Sequence, residues 1–158
     1  ISKVLRKTLS LANASLKNNQ VEVIKEINSD IEILGYENQL IQAILNILNN
    51  AKDALKENNT DKEKLVIIKT VSDEDGLMLI IHDNAGGVPE NILSRIFEPY
   101  FTTKHQNLGT GIGLSLANDI FVKHHHAYIK VINEELYMMT RNILEQNLLL
   151  LFIKIDLR

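Results

Sequence analysis

The chain is 158 residues long, carries 17 basic and 20 acidic side chains, and is 45% hydrophobic. This length fits one domain, and the hydrophobic content is ample for a packed core, which argues against disordered, collagen-like or repeat architectures. A net charge of −3 offers no electrostatic attraction for nucleic acid or for an anionic membrane. Cysteine is absent, which excludes disulfides and thiolate metal sites, and the longest apolar run, at 148–153, is too short to span a membrane.

The first third of the chain predicts two helices and two strands. Apolar residues recur at helical spacing over 2–16, and the sequence KNNQ then predicts a turn. The alternating sequences VEVIKEI, at 21–27, and DIEIL, at 30–34, predict two short strands. Residues 37–57 give the strongest helical pattern, with apolar residues three and four positions apart, and NNTDKEK ends this helix.

The remainder of the chain predicts more strands and a third helix. Residues 88–108 show no sustained period, which favours a short helix and a mobile loop, and a helix is expected over 112–123. The sequence SDEDG is a hairpin signal between the first two of the later strands. Those strands are expected at 65–71, 77–83, 127–132 and 148–157. The pattern predicts a sandwich in which a mixed sheet is covered by about three helices.

One edge of the predicted helix 37–57 carries amides and a carboxylate. Gln42, Asn46, Asn49, Asn50 and Asp53 are spaced by three, four and seven positions, which places them along that edge. Asparagine is a poor helix former, and a solvated face would normally use Lys, Glu and Gln. Amide oxygens suit Mg²⁺, which leans on substrate phosphates for its remaining ligands. The pattern therefore favours a functional edge over a merely solvated one.

In the sequence HDNAGG, at 82–87, an aspartate ends a predicted strand and is followed closely by a pair of glycines. Taken alone, Asp and Asn beside Gly are typical of a hairpin or Asx turn. A carboxylate at a strand end can also accept a hydrogen bond from an exocyclic amine, and Gly86 and Gly87 would let a flat ring lie against the backbone. Adenine matches both features, with Asp83 as the acceptor.

The sequence GTGIGLS places Gly109, Gly111 and Gly113 before a predicted helix. Backbone amides freed by glycines at such a position bind anions, most often phosphate. The spacing matches neither a Walker loop, which needs G-x-x-x-x-G-K-[ST], nor a dinucleotide fingerprint, which follows a strand directly. Together the three elements predict a metal site, a base pocket and a phosphate loop, in that chain order.

Four ordered motifs carry a family resemblance that covers roughly residues 1–126. NQLIQAILNILNNAKDAL resembles the N box, DNAGGV the G1 box, IFEPYFTTK the F box and GTGIGLS the G2 box of the ATP-binding catalytic domain of sensor histidine kinases (HATPase_c). That domain belongs to the GHKL superfamily of gyrase, chaperone, kinase and MutL ATPases. The resemblance implies the Bergerat-type α+β fold, a two-layer α/β sandwich with a mixed sheet and about three helices. It also implies ATP and Mg²⁺ as cofactors.

The resemblance also implies roles for individual residues. Asn50 is expected to coordinate Mg²⁺ bridging the ATP phosphates, with Asn46 contacting metal or phosphate, and Asp83 is expected to bind the adenine amine. Lys104 either reaches the γ-phosphate or is solvated; Asn46, Asn50 and Lys104 form the expected catalytic set. The residues expected to contact the nucleotide are Asn46, Asn50, Asp53, Asp83, Ala85, Gly87, Val88, Phe97, Phe101, Thr102, Thr103, Gly109, Thr110, Gly111, Ile112, Gly113 and Leu114.

Further roles concern the base pocket and a lid. Gly87 is expected to line the adenine ring, and Ala85 stands where many family members have glycine. Phe97 and Phe101 are expected to anchor the base of a lid, at about 98–108, that the γ-phosphate orders and that is mobile without it. The lid carries Thr102, Thr103 and Lys104. The three glycines at 109–113 are expected to close over the phosphates, with Leu114 packing the helix.

Position 46 bears on the reaction. Superfamily members that hydrolyse ATP efficiently carry a glutamate there to activate water, whereas an amide cannot take up a proton at neutral pH. Asn46 therefore predicts slow hydrolysis. Phosphorylating a neutral imidazole requires positioning and charge neutralisation more than a strong base. No histidine of this chain lies in a helical H-E context. The resemblance thus implies an acceptor histidine on an upstream dimerisation module, and a downstream response regulator.

Some features depart from the family pattern. HHHAYIKV replaces the usual His-Gly-Gly turn, no glycine follows Gly113, and residues 134–146 lack a structural assignment. The histidines are expected to end the helix 112–123, where cationic side chains suit the helix dipole. The chain begins without methionine, which suggests a single domain, 1–158, from a longer protein. This domain is expected to be cytoplasmic, even where a membrane anchors the full-length sensor.

Three interpretations are carried forward. The first is a histidine kinase catalytic domain that transfers the γ-phosphoryl group of Mg·ATP to a histidine. The second is a gyrase- or MutL-type ATPase that uses hydrolysis to drive dimer closure, against which Asn46 and the lid sequence FEPYFTTK weigh. The third is a non-catalytic nucleotide-binding or interaction module, which the unusual C-terminal part allows.

Overall fold

A computed structural model describes residues 1–27, 32–58, 63–72, 74, 76–104, 109–138 and 143–156. The first half contains helix α1 (Ser2–Asn18), strand β1 (Val21–Ile27), helix α2 (Glu37–Glu57), and strands β2 (Lys64–Ser72) and β3 (Gly76–Asp83). The second half contains the short helix α3 (Glu90–Leu93), helix α4 (Gly113–Asp119) with its π-helical continuation (Ile120–His124), and strands β4 (Tyr128–Met138) and β5 (Ile143–Asp156). Among these residues, no helix has the length and apolar character needed to cross a membrane.

The strands form one mixed sheet in the order β1-β2-β3-β5-β4. β1 and β2 are parallel, whereas the other neighbouring strands are antiparallel. Parallel neighbours cannot be joined by a hairpin, so α2 supplies the crossover from β1 to β2 and is held against one face of the sheet. This arrangement confirms the predicted α+β fold, a two-layer sandwich with a mixed sheet and helices.

The core lies between the helices and the face of β3 that carries Leu77, Leu79 and Ile81. The inner face of α2 buries Leu40, Ala43, Ile44, Ile47, Leu48, Ala51 and Leu55, as the sequence periodicity predicts. Full burial of one such large aliphatic side chain contributes about 1.5–3 kcal/mol to folding. Because the apolar stripe is buried, the asparagines at 46, 49 and 50 lie along the neighbouring, less buried edge of α2.

The predicted strand at 30–34 is wrong for residues 32–34, which form no strand, while 30–31 lie outside the described residues. Leu34 is 97% exposed. The Tyr36 N–H donates a hydrogen bond to Nε2 of His125 at 3.0 Å, which draws the chain toward the start of α2. An alternating pattern is a local property, whereas a strand also needs a partner at the sheet edge, and residues 32–34 pair with none of the described strands.

The C-terminal strands are longer than the alternating pattern indicates. β4 and β5 pair from Tyr128 opposite Lys154 to Met138 opposite Ile143, with an irregularity between Leu136 and Met138. Most of the unassigned segment 134–146 therefore continues this antiparallel hairpin. Residues 139–142 lie outside the described residues, as do 105–108 of the expected lid, 59–62 after α2, and positions 73 and 75 of the SDEDG hairpin.

The His124–His126 run does more than end a helix. His125 is buried, and its Nε2 must accept the Tyr36 N–H, so its Nδ1 carries the proton and donates to the Ile120 carbonyl at 2.9 Å. The π-helical segment ends at His124, and His125 in addition contacts Tyr36, the residue just before α2. The His125 ring lies so close to the backbone of Gly35 that a Cβ at this position would collide with it. His125 thereby joins the end of the α4 segment to the start of α2.

Candidate functional site

A cavity of about 510 Å³ opens between α2, the end of β3, the first part of the lid at 101–104 and the loop at 109–114. This volume lies within the range of small-molecule sites. Its apolar wall includes Ile81, Ile96, Val131 and Leu151, and its polar wall comes from α2 and from the glycine-containing loops. The cavity brings the three sequence elements together, because α2 crosses the sheet beside the strand end that carries HDNAGG.

The amide edge of α2 lines one side of the cavity through Asn46, Asn49, Asn50 and Asp53, and Gln42 falls outside it. Asn50 Nδ2 donates to the carbonyl oxygen of Asn46 at 3.0 Å. This bond directs the amide nitrogen of Asn50 along the helix and leaves its Oδ1 as an acceptor for a ligand. A polar side chain that bonds its own helix is held in one orientation, which suits a residue that must present an oxygen.

The start of α4 approaches this amide edge closely. A Cβ added at Gly113 would lie 3.3 Å from Asn50 Nδ2 and 3.9 Å from Asn46 Cβ. The glycine therefore allows the loop before α4 to approach α2 without displacing the asparagines. Gly109, Thr110, Gly111, Gly113 and Leu114 line the cavity, whereas the side chain of Ile112 is 41% exposed and does not.

Asp53 is paired with two lysines. Lys104 Nζ lies 2.7 Å from Asp53 Oδ2, and Lys52 Nζ lies 3.2 Å from Asp53 Oδ1. Burial alone would raise the pKa of Asp53, but the hydrogen bond and charge of Lys104, with those of Lys52, outweigh it and hold the pKa below its ordinary value. Lys104 and Asp53 both line the cavity, so the expected cation of the lid is ion-paired across the site rather than solvated.

Asp83 is the last residue of β3 and also lines the cavity. It is only 5% exposed, and its Oδ1 accepts the N–H of Ala85 at 3.1 Å. Burial raises the pKa of this carboxyl to about 6, and the bond from Ala85 opposes that rise. Ala85 is buried behind the turn and does not line the cavity. The second carboxylate oxygen of Asp83 is available to a hydrogen-bond donor on a ligand.

The turn after Asp83 is fastened to β2 by Asn84. Its Oδ1 accepts the Leu65 N–H at 2.7 Å, and its Nδ2 donates to the Glu63 carbonyl oxygen at 2.8 Å. Gly86 and Gly87 then have φ values of +97° and +78°, which glycine adopts without strain. Gly87 and Val88 line the cavity beyond this turn. The sequence HDNAGG therefore forms a turn, and Asp83 and Gly87 within it also form part of the cavity wall.

The base of the lid packs through two aromatic rings. Phe97 and Phe101 are partly buried against the core, and only Phe101 lines the cavity. The Arg95 guanidinium lies 4.4 Å from the centre of the Phe101 ring and pairs with Glu98. Thr102, Thr103 and Lys104 line the cavity, and the Thr102 hydroxyl accepts the Lys104 N–H.

The lid is also joined to the phosphate loop through backbone contacts. The Tyr100 N–H donates to the Gly111 carbonyl oxygen at 2.9 Å. Gly111 has φ +65°, and a Cβ there would lie 2.5 Å from the Tyr100 carbonyl carbon. Only glycine fits at this position, so the packing of the lid backbone alone requires the second glycine of GTG.

Sequence reasoning misses Lys52 and Asn133. Lys52 helps to hold Asp53, but a lysine on a helix surface gives no signal of that role. Asn133 bonds both backbone groups of Val88 from β4. The sequence contains a weak signal for this role of Asn133. Ile129 and Val131, at alternate positions of the same strand, face inward, and Asn133 is a polar residue at the next position on that face.

Residues 35–145 match the family model described as histidine kinase-, DNA gyrase B- and HSP90-like ATPase. The two-component sensor PprA of Pseudomonas aeruginosa is 37% identical over 115 residues, which are 71% of this chain and 12% of that protein. Sporulation kinase E of Bacillus subtilis is 32% identical over 136 residues, which are 85% of this chain and 18% of that protein. The chain spans less than a fifth of the length of either relative.

Solved structures share the fold. The nucleotide-free catalytic domain of histidine kinase ThkA gives a TM-score of 0.80 at 21% identity, covering 99% of this chain and 91% of that one. ThkA in complex with response regulator protein TrrA gives 0.73 at 18% identity, covering 98% and 40%. The family match covers more than half of the chain and contains all four motifs that converge on the cavity. The chain belongs to the histidine kinase-, DNA gyrase B- and HSP90-like ATPase family.

Proposed function

We propose that this chain is the ATP-binding catalytic domain of a sensor histidine kinase, with residues 1–158 forming one domain. In this proposal it transfers the γ-phosphoryl group of Mg·ATP to a histidine on a separate module. The observation that carries the proposal is the convergence, in one cavity, of a buried carboxylate, Asp83, and an amide edge that faces a glycine-rich loop. In the part of the chain that the structure describes, the strands form one sheet and the buried side chains one core cluster, which supports the single domain.

The carboxylate end suits adenine. Asp83 would accept a hydrogen bond from the exocyclic amine of adenine, while a guanine carbonyl in that position would face it repulsively. Gly87 and Val88 would lie against the ring on one side, and the apolar wall around Ile81 would lie on the other. A site built to hydrogen-bond one group rejects an analogue lacking it by up to roughly 10⁴-fold. We therefore propose selectivity for ATP and ADP over GTP.

The amide end suits a magnesium phosphate. Asn50 presents Oδ1 because its Nδ2 bonds the helix, and a neutral oxygen is a ligand that Mg²⁺ accepts. Within the described residues, no cluster of three or more His, Asp or Glu side chains could hold a metal by itself. The donor set thus fits a cation that arrives with phosphate oxygens, with Asn50 as its protein ligand and Asn46 beside it. When bound, Mg²⁺ would neutralise charge on the transferred phosphoryl group.

The chain's own residues would orient the triphosphate and leave the proton chemistry to the acceptor. Backbone amides of the loop containing Gly109, Gly111 and Gly113 would bind phosphate oxygens. On nucleotide binding, the Lys104 ammonium would contact the γ-phosphate in place of part of its contact with Asp53. This role would account for the cation on the lid. Asn46 cannot take up a proton as a general base, which argues against rapid hydrolysis, whereas a neutral imidazole already has a nucleophilic lone pair.

The partners of the domain follow from the same proposal. We propose an upstream dimerisation and phosphoacceptor module in the full-length protein, and a response regulator that receives the phosphoryl group. The names of PprA, sporulation kinase E and the ThkA–TrrA complex support this proposal for a related domain. We also propose a cytoplasmic location, where ATP is available, and no contact of this domain with nucleic acid or membrane, in keeping with a net charge of −3.

Calorimetry and a phosphotransfer assay test the proposal together. The protein should bind ATP and ADP much more tightly than GTP, and it should phosphorylate a supplied histidine-containing acceptor module while releasing phosphate only slowly on its own. Rapid steady-state phosphate release would favour the gyrase- or MutL-type ATPase. Binding of ATP without transfer to any supplied acceptor module would favour a non-catalytic nucleotide-binding module.

A further inference from the structure

One side chain behind the cavity wall holds the loop that follows β3. Asn133 Oδ1 accepts the Val88 N–H at 2.9 Å, and its Nδ2 donates to the Val88 carbonyl oxygen at 2.7 Å and to Glu90 Oε1 at 3.1 Å. Both backbone polar groups of Val88 are thus bonded to a single amide. Asn133 does not line the cavity itself, whereas Val88 does.

Asp83 and Asn133 occupy one row of the sheet. Asp83 of β3 pairs with Leu149 of β5, and Asn133 of β4 pairs with Leu149 from the other side. Two strand spacings, about 10 Å, therefore separate the two residues. The loop leaves the sheet at Asp83 and is held again at Asn133. This amide consequently sets the distance between Asp83 and the part of the loop, at Gly87 and Val88, that forms the facing wall.

The loop has little stiffness of its own. Gly86 and Gly87 both have positive φ, a conformation that glycine reaches easily but also leaves easily. Pro89 and Glu90 are exposed, so packing constrains them weakly. A Cβ at Gly87 would lie 2.6 Å from Asn133 Oδ1, so the glycine is what allows the amide to approach. The hydrogen bonds of Asn133 therefore hold this loop in one of the several conformations that its backbone could adopt.

We infer that Asn133 is a positioning residue that fixes the base end of the cavity and thereby raises its affinity for adenine compounds. The inference rests on the proposed function, since it needs the base to lie between Asp83 and Val88. When a binding site is competent for only a fraction of the time, its apparent affinity falls by that fraction. Loss of the Asn133 bonds should reduce the competent fraction, and hence the affinity, about tenfold.

Four variants and the wild type test the inference by calorimetry with ATP and with adenosine. Asn133→Ala should weaken both ligands about tenfold, because the change acts at the base end that they share. Asn133→Asp should weaken them at least as much, since it removes the donor and sets a second carboxylate beside Glu90. Adding Glu90→Gln to Asn133→Asp should restore part of the affinity, because the amide introduced at position 90 can donate to the carboxylate introduced at position 133. The control Tyr128→Ala, an exposed residue on the other face of β4, should bind like the wild type.

The outcomes separate the inference from the function on which it rests. Failure of the wild type to bind ATP would overturn the proposed function. Normal wild-type binding with unchanged affinities in Asn133→Ala and Asn133→Asp would overturn only the positioning role. Loss for ATP but not for adenosine would also overturn it, because the effect would then lie at the phosphate end. If Asn133→Ala fails to fold, recovery on adding Glu90→Gln to Asn133→Asp decides the matter, and absence of recovery contradicts the inference.

Discussion

Replacing Asp83 with asparagine should change the pH dependence of folding and weaken nucleotide binding at the same time. Burial raises the pKa of Asp83 to about 6, roughly two units above an exposed aspartate. Such a group favours folding fully below the unfolded pKa, near 4, and loses that contribution as the pH rises through 6. Two units correspond to about 3 kcal/mol of folding free energy lost by pH 8, and about half of that is already lost at pH 5.

Asparagine removes this pH dependence because it cannot ionise. Its buried amide nitrogen can itself cost about 1–3 kcal/mol if it lacks a partner, so the absolute stability of Asp83→Asn is less informative than its pH profile. Urea unfolding at pH 5 and pH 8 measures that profile. Between these values the stability of Asp83→Asn should rise by about 1 to 2 kcal/mol relative to the wild type. Asp119→Asn, at an exposed residue paired with Lys123, is the matched control and should leave the wild-type profile nearly unchanged.

The same variant tests the adenine assignment. A hydrogen bond to a charged acceptor contributes about 1.5–3 kcal/mol, so Asp83→Asn should lose about 10- to 100-fold in affinity for ATP at pH 8. Wild-type affinity should also fall as the pH drops below 6, because protonation removes the charge from Asp83. Parallel stability profiles for the wild type and Asp83→Asn would refute the electrostatic reasoning. Undiminished ATP binding by the variant would refute the assignment of Asp83 to the adenine amine.

Three further predictions concern the phosphate end. Asn50→Ala should slow phosphotransfer to a supplied acceptor module by about 10²- to 10³-fold while weakening ATP binding less, because the metal acts mainly as charge develops; equal losses in the two assays would contradict this. Gly111→Ala should loosen the lid, since its Cβ would lie 2.5 Å from a lid backbone carbon. Gly86→Ala is the control, because its Cβ would meet only the Asn58 side chain, at 3.5 Å and away from the lid. Hydrogen exchange over 98–104 should therefore quicken only in Gly111→Ala, and in the wild type it should slow more with a non-hydrolysable ATP analogue than with ADP. Lys104→Ala should raise the pKa of Asp53, because fewer cations would then oppose the effect of burial. A carboxyl NMR titration should therefore show that Asp53 is protonated at a higher pH in this variant than in the wild type. An unchanged titration would mean that the Lys104 pair is absent in solution.

The elements that the sequence predicts well are those whose signal is local. Helix α2 has seven buried residues at three- and four-residue spacing, and its bounds, Glu37–Glu57, match the expected 37–57. The strands β2 and β3 are likewise apolar and bounded by polar sequences. The candidate site was predictable for a different reason. Its residues are polar or glycine in places where a helix or a strand would use other types, and such departures from local preference stand out in the sequence.

The features that the sequence does not predict depend on contacts between distant segments. His125 looks like part of a helix-ending run, but its role comes from Tyr36, which is 89 residues away in the chain. Asn133 looks like an ordinary polar residue near the end of a strand, and its bonds reach Val88, 45 residues away. Residues 32–34 alternate like a strand and yet pair with none of the described strands. Local periodicity carries no information about which segment will lie opposite.

His82 and Asp83, adjacent at the end of β3, show why an unusual pKa alone does not identify a site. Burial lowers the pKa of His82 and raises that of Asp83, so both side chains are pushed toward their neutral forms. His82 Nδ1 also has no hydrogen-bond partner among the described residues. Alternation along the strand turns the two side chains to opposite faces, and only Asp83 lines the cavity. A donor on a ligand can therefore compensate the buried carboxylate, whereas a ligand in this cavity cannot reach His82. The position of Asp83 relative to the cavity, together with its burial, is what supports a binding role for it.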